Sequence, residues 1–227
     1  LTSGFGVAFA GHSNPDVAAA IAAQARTLAH GLGDVHPPDI KVRLLEKLAE
    51  IAPGDLSVSI LGSDGADAVE AALKTAVLRT GRTGVLAFEG AYHGLSYGAL
   101  STTWRTDFRG PFLAQLNRAV RFAPYPAGPP DADRPDSLEH SLQAVRAQLA
   151  AADDAGQSIG AILVEPIQGR GGLVVPPPGF LKALRDLCDG TSRILIFDEI
   201  YTGMGRTGSW FAAQKTGVYP DVATIGK

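Results

Sequence analysis

The sequence predicts an α/β protein with a mostly parallel sheet flanked by helices, and three observations predict it. Short apolar runs enriched in β-branched residues alternate with stretches of helical spacing, the order that builds a parallel sheet from strand–helix–strand units. The chain has 227 residues, 45% of them apolar, enough for one generous core. The residues that follow the strand-like runs are the ones with chemistry, as expected where ligands gather at the carboxyl ends of parallel strands.

The elements follow in order. Residues 15–28 (PDVAAAIAAQARTL) read as a helix with Asn14 as N-cap and Pro15 in the first position. Residues 39–51 (DIKVRLLEKLAEI) read as a second, with Val42, Leu45, Leu48 and Ala49 on one side and Pro53-Gly54 closing it. Strands are predicted for SVSIL around Ile60, GVLAFE around Leu86, AILVE ending at Glu165, RILIFDE ending at Glu199, and VATI near the end. Helices are predicted for 67–80, 137–152 and 179–188. The stretch 124–135 (PYPAGPPDADRP) holds five prolines without periodicity and reads as a surface loop.

Composition excludes several classes. A net charge of −3 without a charged block gives nucleic acid no electrostatic footprint. The single cysteine, Cys188, cannot form an internal disulfide or a thiolate metal site alone, and its place in FLKALRDLC reads as core. His12, His30, His36 and His140 have no spacing that pairs them on one face, so no metal site is expected. No apolar run approaches the roughly 20 residues of a membrane span, and LTSGFGVAFAGHSNP lacks the basic start of a signal peptide. A cytoplasmic location is the expectation. The chain begins without Met and stops at Lys227 directly after an apolar strand, so a fragment is expected, or a chain interrupted at a chemically unusual lysine.

The strand ends form a constellation. GSDGADAVEAALK follows the first run, GAYHGLS with Tyr92 and His93 the second, EPIQGRGG the third, Asp198 and Glu199 close the fourth, and Lys227 follows the last. Gly203, Gly205 and Gly208 spell G-x-G-x-x-G, but a dinucleotide loop needs its first glycine immediately after the strand. Here Asp198 and Glu199 intervene and would repel a diphosphate, although Asp221 stands near the place of a ribose-binding acid. Asp198 points elsewhere. A carboxylate at a buried strand end needs a cationic partner, and a protonated heteroaromatic nitrogen is one. Pyridoxal phosphate combines that need with a lysine and with helix-terminal amides for its phosphate. Taken singly, Tyr92-His93 is also explained by turn packing and Lys227 by a solvated lysine; the joint arrangement is what carries chemistry.

LIFDEIYTGMGRTGSWFAAQKTGVYPDVATIGK resembles the signature of class III aminotransferases, the ω-aminotransferase-type group of fold-type I pyridoxal-phosphate enzymes. GFGVAFAGHSNPDV, GSDGADAVEAALK, FEGAYHG and ILVEPIQGRGG resemble further segments of that family in the same order, along nearly the whole chain. The resemblance implies pyridoxal 5'-phosphate as cofactor and Lys227 as the Schiff-base lysine and proton carrier. It implies Asp198 at the pyridinium nitrogen, Ile200 on one ring face and Tyr92, followed by His93, on the other. Gly65 and Ala66 would give amides to the phosphate, Glu165 would stand near the ring, and Arg206 would fix the glycine loop. It also implies an N-terminal segment over 1–36, a large cofactor domain over 37–227, a C-terminal domain outside this sequence, and a homodimer with sites at its interface.

Three departures limit the carry-over. Ala66 stands where many members have Ser or Thr, Tyr201 where some have Gln beside the cofactor's phenolic oxygen, and Arg170 where glutamate-using members often have Glu. An arginine cannot pair with the carboxylate-binding arginine of those members. The expected reaction is amino transfer between an amine or amino acid and a keto acid or aldehyde. An aminomutase, a decarboxylating transaminase or an incompetent fragment would share the same residues.

Overall fold

The computed structural model describes residues 3–33, 35–127 and 137–227. The chain divides into two compact units, one running to Ser59 and including Lys227, the other Ile60–Gly226. In the first, helix α1 (Pro15–Thr27) starts where predicted: the Asn14 side chain accepts from the amides of Asp16 and Val17 at 3.0 and 3.3 Å. Such a cap satisfies amides that the first helical turn leaves without partners. Helix α2 (Asp39–Ile51) has the predicted limits and buries Leu48 and Ile51.

The second unit is built on five strands: β1 (Gly84–Phe88), β2 (Val120–Ala123), β3 (Ile159–Val164), β4 (Ile194–Asp198) and β5 (Val222–Thr224). They lie in the order β2-β1-β3-β4-β5, every pair parallel. From β1 the chain moves outward to β2 and then returns across β1 to β3. The strand order therefore reverses between β1 and β3, the place where open parallel sheets bind ligands.

Both faces are covered. Helix α3 (Gly65–Thr80) and the short α4 (Tyr97–Thr102) pack on one, where Val69, Ala72, Ala76 and Ala99 meet Val85, Ala161, Leu163 and Ile196. Helices α6 (Ser137–Asp154) and α7 (Phe180–Thr191) pack on the other. There the ring of Phe88 stands edge-on to Phe180 and Tyr125, with centroids 5.4 and 5.8 Å apart. The strand residues that serve each face alternate, as the two-residue period of a strand requires. Continuous burial along β1 and β3 is the reason their runs are apolar without a break.

One predicted strand does not form. SVSIL forms no regular element, with Val58 90% and Ile60 73% exposed. A strand exists only through its ladder, and among the described residues no segment pairs with it. Conversely β2 was not predicted, because Arg121 interrupts its short apolar run. Helix α5 (Thr106–Arg109), the 3-10 turn Gly110–Gln115 and α8 (Ala212–Thr216) are each too short to carry a period. Pro124 and Pro126 follow β2, and positions 128–135 of the expected loop lie outside the described residues.

Candidate active site

Asp198 closes β4 and is 3% exposed. One carboxylate oxygen, Oδ1, accepts from the Ile200 amide at 3.1 Å and from the Thr224 hydroxyl of β5 at 3.3 Å. The other, Oδ2, lies 2.6 Å from His93 Nδ1, whose side chain is fully buried. His93 is held by its own backbone, since its amide donates to Thr103 Oγ1 at 2.9 Å. Removing either member of a buried pair of this kind leaves the other without compensation.

Glu165, just past β3, joins the two loops of the switch point. Its Oε1 accepts from the Tyr92 amide at 3.0 Å and its Oε2 from the Gly169 amide at 2.9 Å. Tyr125 Oη donates to the Glu165 carbonyl at 3.0 Å. Burial, reinforced by the charge of Asp198 and opposed by His93 and the two amides, pushes the Glu165 carboxyl up to about 6. A carboxyl that is raised on folding favours the protonated native state. Its contribution is therefore complete below the ordinary value of 4.5 and is lost as pH rises to about 6. In the full-length protein, Glu165→Gln is expected to remove a decline of about 2 kcal/mol in stability across that window. Denaturant unfolding of both proteins between pH 4 and 7 measures it; parallel pH profiles would refute it.

Glu199, the second acid, has a different task. It is fully buried and accepts from the hydroxyl of Thr202 and from the amides of Ala212 and Ala213, the latter two at 3.0 and 2.8 Å. It thereby ties the start of α8 back to the end of β4. Burial raises its carboxyl above the usual range, against the hydrogen bonds from Thr202, Ala213 and Ala212. The glycines of G-x-G-x-x-G lie within this closed loop. Gly205 and Gly208 take left-handed φ of 91° and 88°, and a side chain on Gly203 would meet the Glu199 carbonyl at 2.7 Å. No helix opens at Gly203, so the dinucleotide reading fails on its geometry.

The start of α3 completes the group. Asp64 caps it by accepting from the Asp67 amide at 2.9 Å, and the Asp67 side chain accepts from Ser63 N at 2.9 Å. Gly65 and Ala66 occupy the first turn, where amides have no intrahelical carbonyl. Neighbouring loops close tightly on both. A Cβ on Gly65 would lie 2.9 Å from Ile200 Cδ1, and one on Gly94, at φ 127°, 2.6 Å from Ala66 Cβ. Gly226 approaches the same place, its Cβ direction meeting Gly65 Cα and Ile200 Cγ2 at 3.5 Å. Tyr201 packs beside Gly169, where an added Cβ would meet its ring at 3.0 Å, and the Arg206 guanidinium lies 5.2 Å from the Tyr201 ring centroid. Tyr92 is half-buried, edge-on to Phe108 at 5.9 Å. Lys227 is half-buried and belongs to the first unit.

The structure thus brings Gly65, Ala66, Tyr92, His93, Glu165, Asp198, Ile200 and Tyr201 to linked loops at the carboxyl ends of one sheet. Sequence reading missed the parts played by Glu199, Thr224, Tyr125 and Phe108. Only Glu199 carried a signal, as a charged residue directly after an apolar run. The residues suit pyridoxal phosphate on an observation independent of the resemblance: beside the buried Asp198 carboxylate, His93 Nε2 is buried with no hydrogen-bond partner among the described residues. A polar group unmet at this depth is rare in a finished interior, and a heteroaromatic ligand with polar substituents is the kind of occupant it calls for. Asp198 offers it an anion, Tyr92 an aromatic face, and the first turn of α3 offers amides.

The comparisons with known proteins agree in direction. Acetylornithine aminotransferase of Methanosarcina mazei is 38% identical over 99% of this chain and 51% of its own length. That of Methanosarcina acetivorans is 36% identical with the same coverage. The chain spans about half the length of these curated relatives. Among solved structures, a thermostable (S)-enantioselective omega-transaminase from Thermomicrobium roseum superimposes with a TM-score of 0.85 at 29% identity, covering 95% of this chain and 50% of its own. An amine transaminase from an uncultivated Pseudomonas species, in its PLP-bound form, gives 0.79 at 31%, covering 95% and 51%. The family model described as Aminotransferase class-III matches residues 1–227. With the parallel sheet and the paired strand-end carboxylates already in place, that match over the whole sequence makes the chain a member of the class III aminotransferase family, whose cofactor is pyridoxal phosphate.

Proposed function

We propose that the full-length protein is a pyridoxal-phosphate-dependent aminotransferase that moves an amino group from an amine or amino acid to a keto acid or aldehyde. The observation that carries this reading is the Asp198 carboxylate, buried at the end of β4 and oriented by His93, Ile200 and Thr224. When bound, pyridoxal phosphate supplies an electron sink for charge that develops on the substrate carbon. Asp198 would keep an anion at the ring nitrogen, which would strengthen that sink, and His93 holds the carboxylate in one orientation. Gly65 and Ala66 would bind the phosphate through backbone amides, Ile200 and Tyr92 would pack on the ring, and Tyr201, where some members have Gln, would serve its phenolic oxygen. Glu165 keeps the Tyr92 loop and the Gly169 loop in register. Lys227 Nζ would hold the cofactor and, when released, would carry the proton to and from the substrate carbon. In the sequence Lys227 follows Gly226, which packs on Gly65 and Ile200.

The active form is proposed to be a homodimer in the cytoplasm, with residues 37–227 in the large domain. Asp64 and Asp67 flank the α3 amides with negative charge, so an anion site made from this chain alone is electrostatically incomplete, and a second copy supplies the remainder. Sedimentation of the full-length protein is expected to give a dimer; a monomer that retains cofactor would refute this. The enzymatic reading is tested by adding pyridoxal phosphate to the full-length protein and following visible absorbance, then analysing products with and without a keto-acid acceptor. Amino transfer that requires the acceptor supports it. Product formed without acceptor, by rearrangement, or an absent absorbance band would overturn it.

A further inference from the structure

The short helix α4 is fixed at both ends by side chains that reach to other segments. At its start the N-cap Ser96 makes no side-chain hydrogen bond, and Glu70 of α3 takes over: its Oε1 accepts from the amides of Gly98 and Ala99 at 2.6 and 3.2 Å. At its end Thr103, fully buried, turns back on the loop that carries Tyr92 and His93. The Thr103 hydroxyl accepts from the His93 amide at 2.9 Å and donates to the Gly94 carbonyl at 3.0 Å. The next residue adds a backbone bond, from the Trp104 amide to the Ala91 carbonyl at 2.9 Å. One hydroxyl thus uses both its donor and its acceptor capacity on the backbone of His93 and Gly94. The imidazole depends on that support. Its Nδ1 lies 2.6 Å from Asp198 Oδ2, and among the described residues nothing meets its Nε2. A ring with one side-chain hydrogen bond is placed by the backbone that carries it, so a shift of that backbone passes directly to the Asp198 contact.

We propose that Thr103 is a positioning residue for amino transfer: its hydroxyl holds His93 against Asp198 and so keeps the Asp198 carboxylate aimed at the cofactor ring, an inference that rests on the aminotransferase reading. Thr103 acts through the imidazole. Valine in its place has nearly the same outline but cannot accept from the His93 amide, which is then buried without a partner. Serine keeps the hydroxyl and loses only a methyl group.

The test uses the full-length protein loaded with pyridoxal phosphate. Thr103→Val is expected to lower kcat by about 10- to 100-fold, with KM changed less than about threefold and cofactor retained after dialysis. Thr103→Ser is expected to bring kcat back to within about threefold of the unsubstituted enzyme. In a His93→Phe background, Thr103→Val is expected to cost nothing further, since residues acting through one contact are not additive. Proton NMR gives a readout independent of turnover. The downfield signal of the proton between His93 Nδ1 and Asp198, identified by its loss in His93→Phe, is expected to shift in Thr103→Val and to return in Thr103→Ser. If Thr103→Val fails to fold, Thr103→Ala, which leaves room for water at the His93 amide, takes its place. Serine as damaging as valine, additive losses in the double variant, or an unmoved downfield signal overturns the inference. If the unsubstituted holoenzyme shows no amino transfer, the aminotransferase reading fails, and the NMR comparison still decides whether Thr103 holds His93 on Asp198.

Discussion

In the full-length protein, Lys227→Ala is expected to lower amino transfer by about 10,000-fold or more while cofactor remains bound without a covalent link. The two outcomes separate because different groups carry them. Binding is assigned to the Gly65 and Ala66 amides, the Asp198 carboxylate and the Tyr92 ring, none of which the substitution touches. Proton movement is assigned to Nζ alone. An ordinary lysine with a pKa of about 10.4 is neutral only about once in 2,500 at pH 7, so a site that uses the free amine must favour it by desolvation and by attachment to the cofactor. A small external amine is therefore expected to restore slow turnover by acting as the base. Turnover measured with and without such an amine, together with visible absorbance after dialysis, checks both halves. Borohydride reduction and peptide mapping check the assignment directly. A label on Lys215 or Lys74, both of them exposed, would overturn it and the roles aligned with it.

Asp198→Asn is expected to reduce kcat by about 1,000-fold with cofactor still bound. Asparagine matches the shape of aspartate and can accept from the Ile200 amide and Thr224 hydroxyl, so packing at the end of β4 is kept. What disappears is the anion. Its amide group would also face His93 Nδ1, 2.6 Å from the present Oδ2, and donors on both sides of that contact would repel unless the imidazole changes tautomer. Loss of turnover in a variant that still retains cofactor after dialysis distinguishes this electrostatic role from a loss of the folded site. Near-normal kcat would remove Asp198 from the mechanism.

Much of this was legible in the residues. Asn14 and Pro15 mark the start of α1, and the apolar runs before Glu165 and Asp198 mark β3 and β4, because caps and buried strands follow from local chemistry and composition. The order of motifs, from GSDGADAVEAALK to the final lysine, carried the family. Other features were not local. SVSIL has the composition of a strand and forms none, since pairing is a property of two segments. The edge strand β2 was hidden by Arg121, and Glu199 could be seen but not assigned until the fold brought Ala212 and Ala213 to it.

The sequence by itself determined the fold class, most of the helices and which chemical groups stand at strand ends, because each depends on spacing along the chain. Tertiary structure decided which groups touch: the Asp198–His93 pair spans 105 positions and the Glu165–Tyr92 bond 73. The stacking of Arg170 on Tyr92 was likewise invisible before folding. Contacts at that separation are set by how β1, β3 and β4 lie side by side in the sheet, and no local pattern encodes that order.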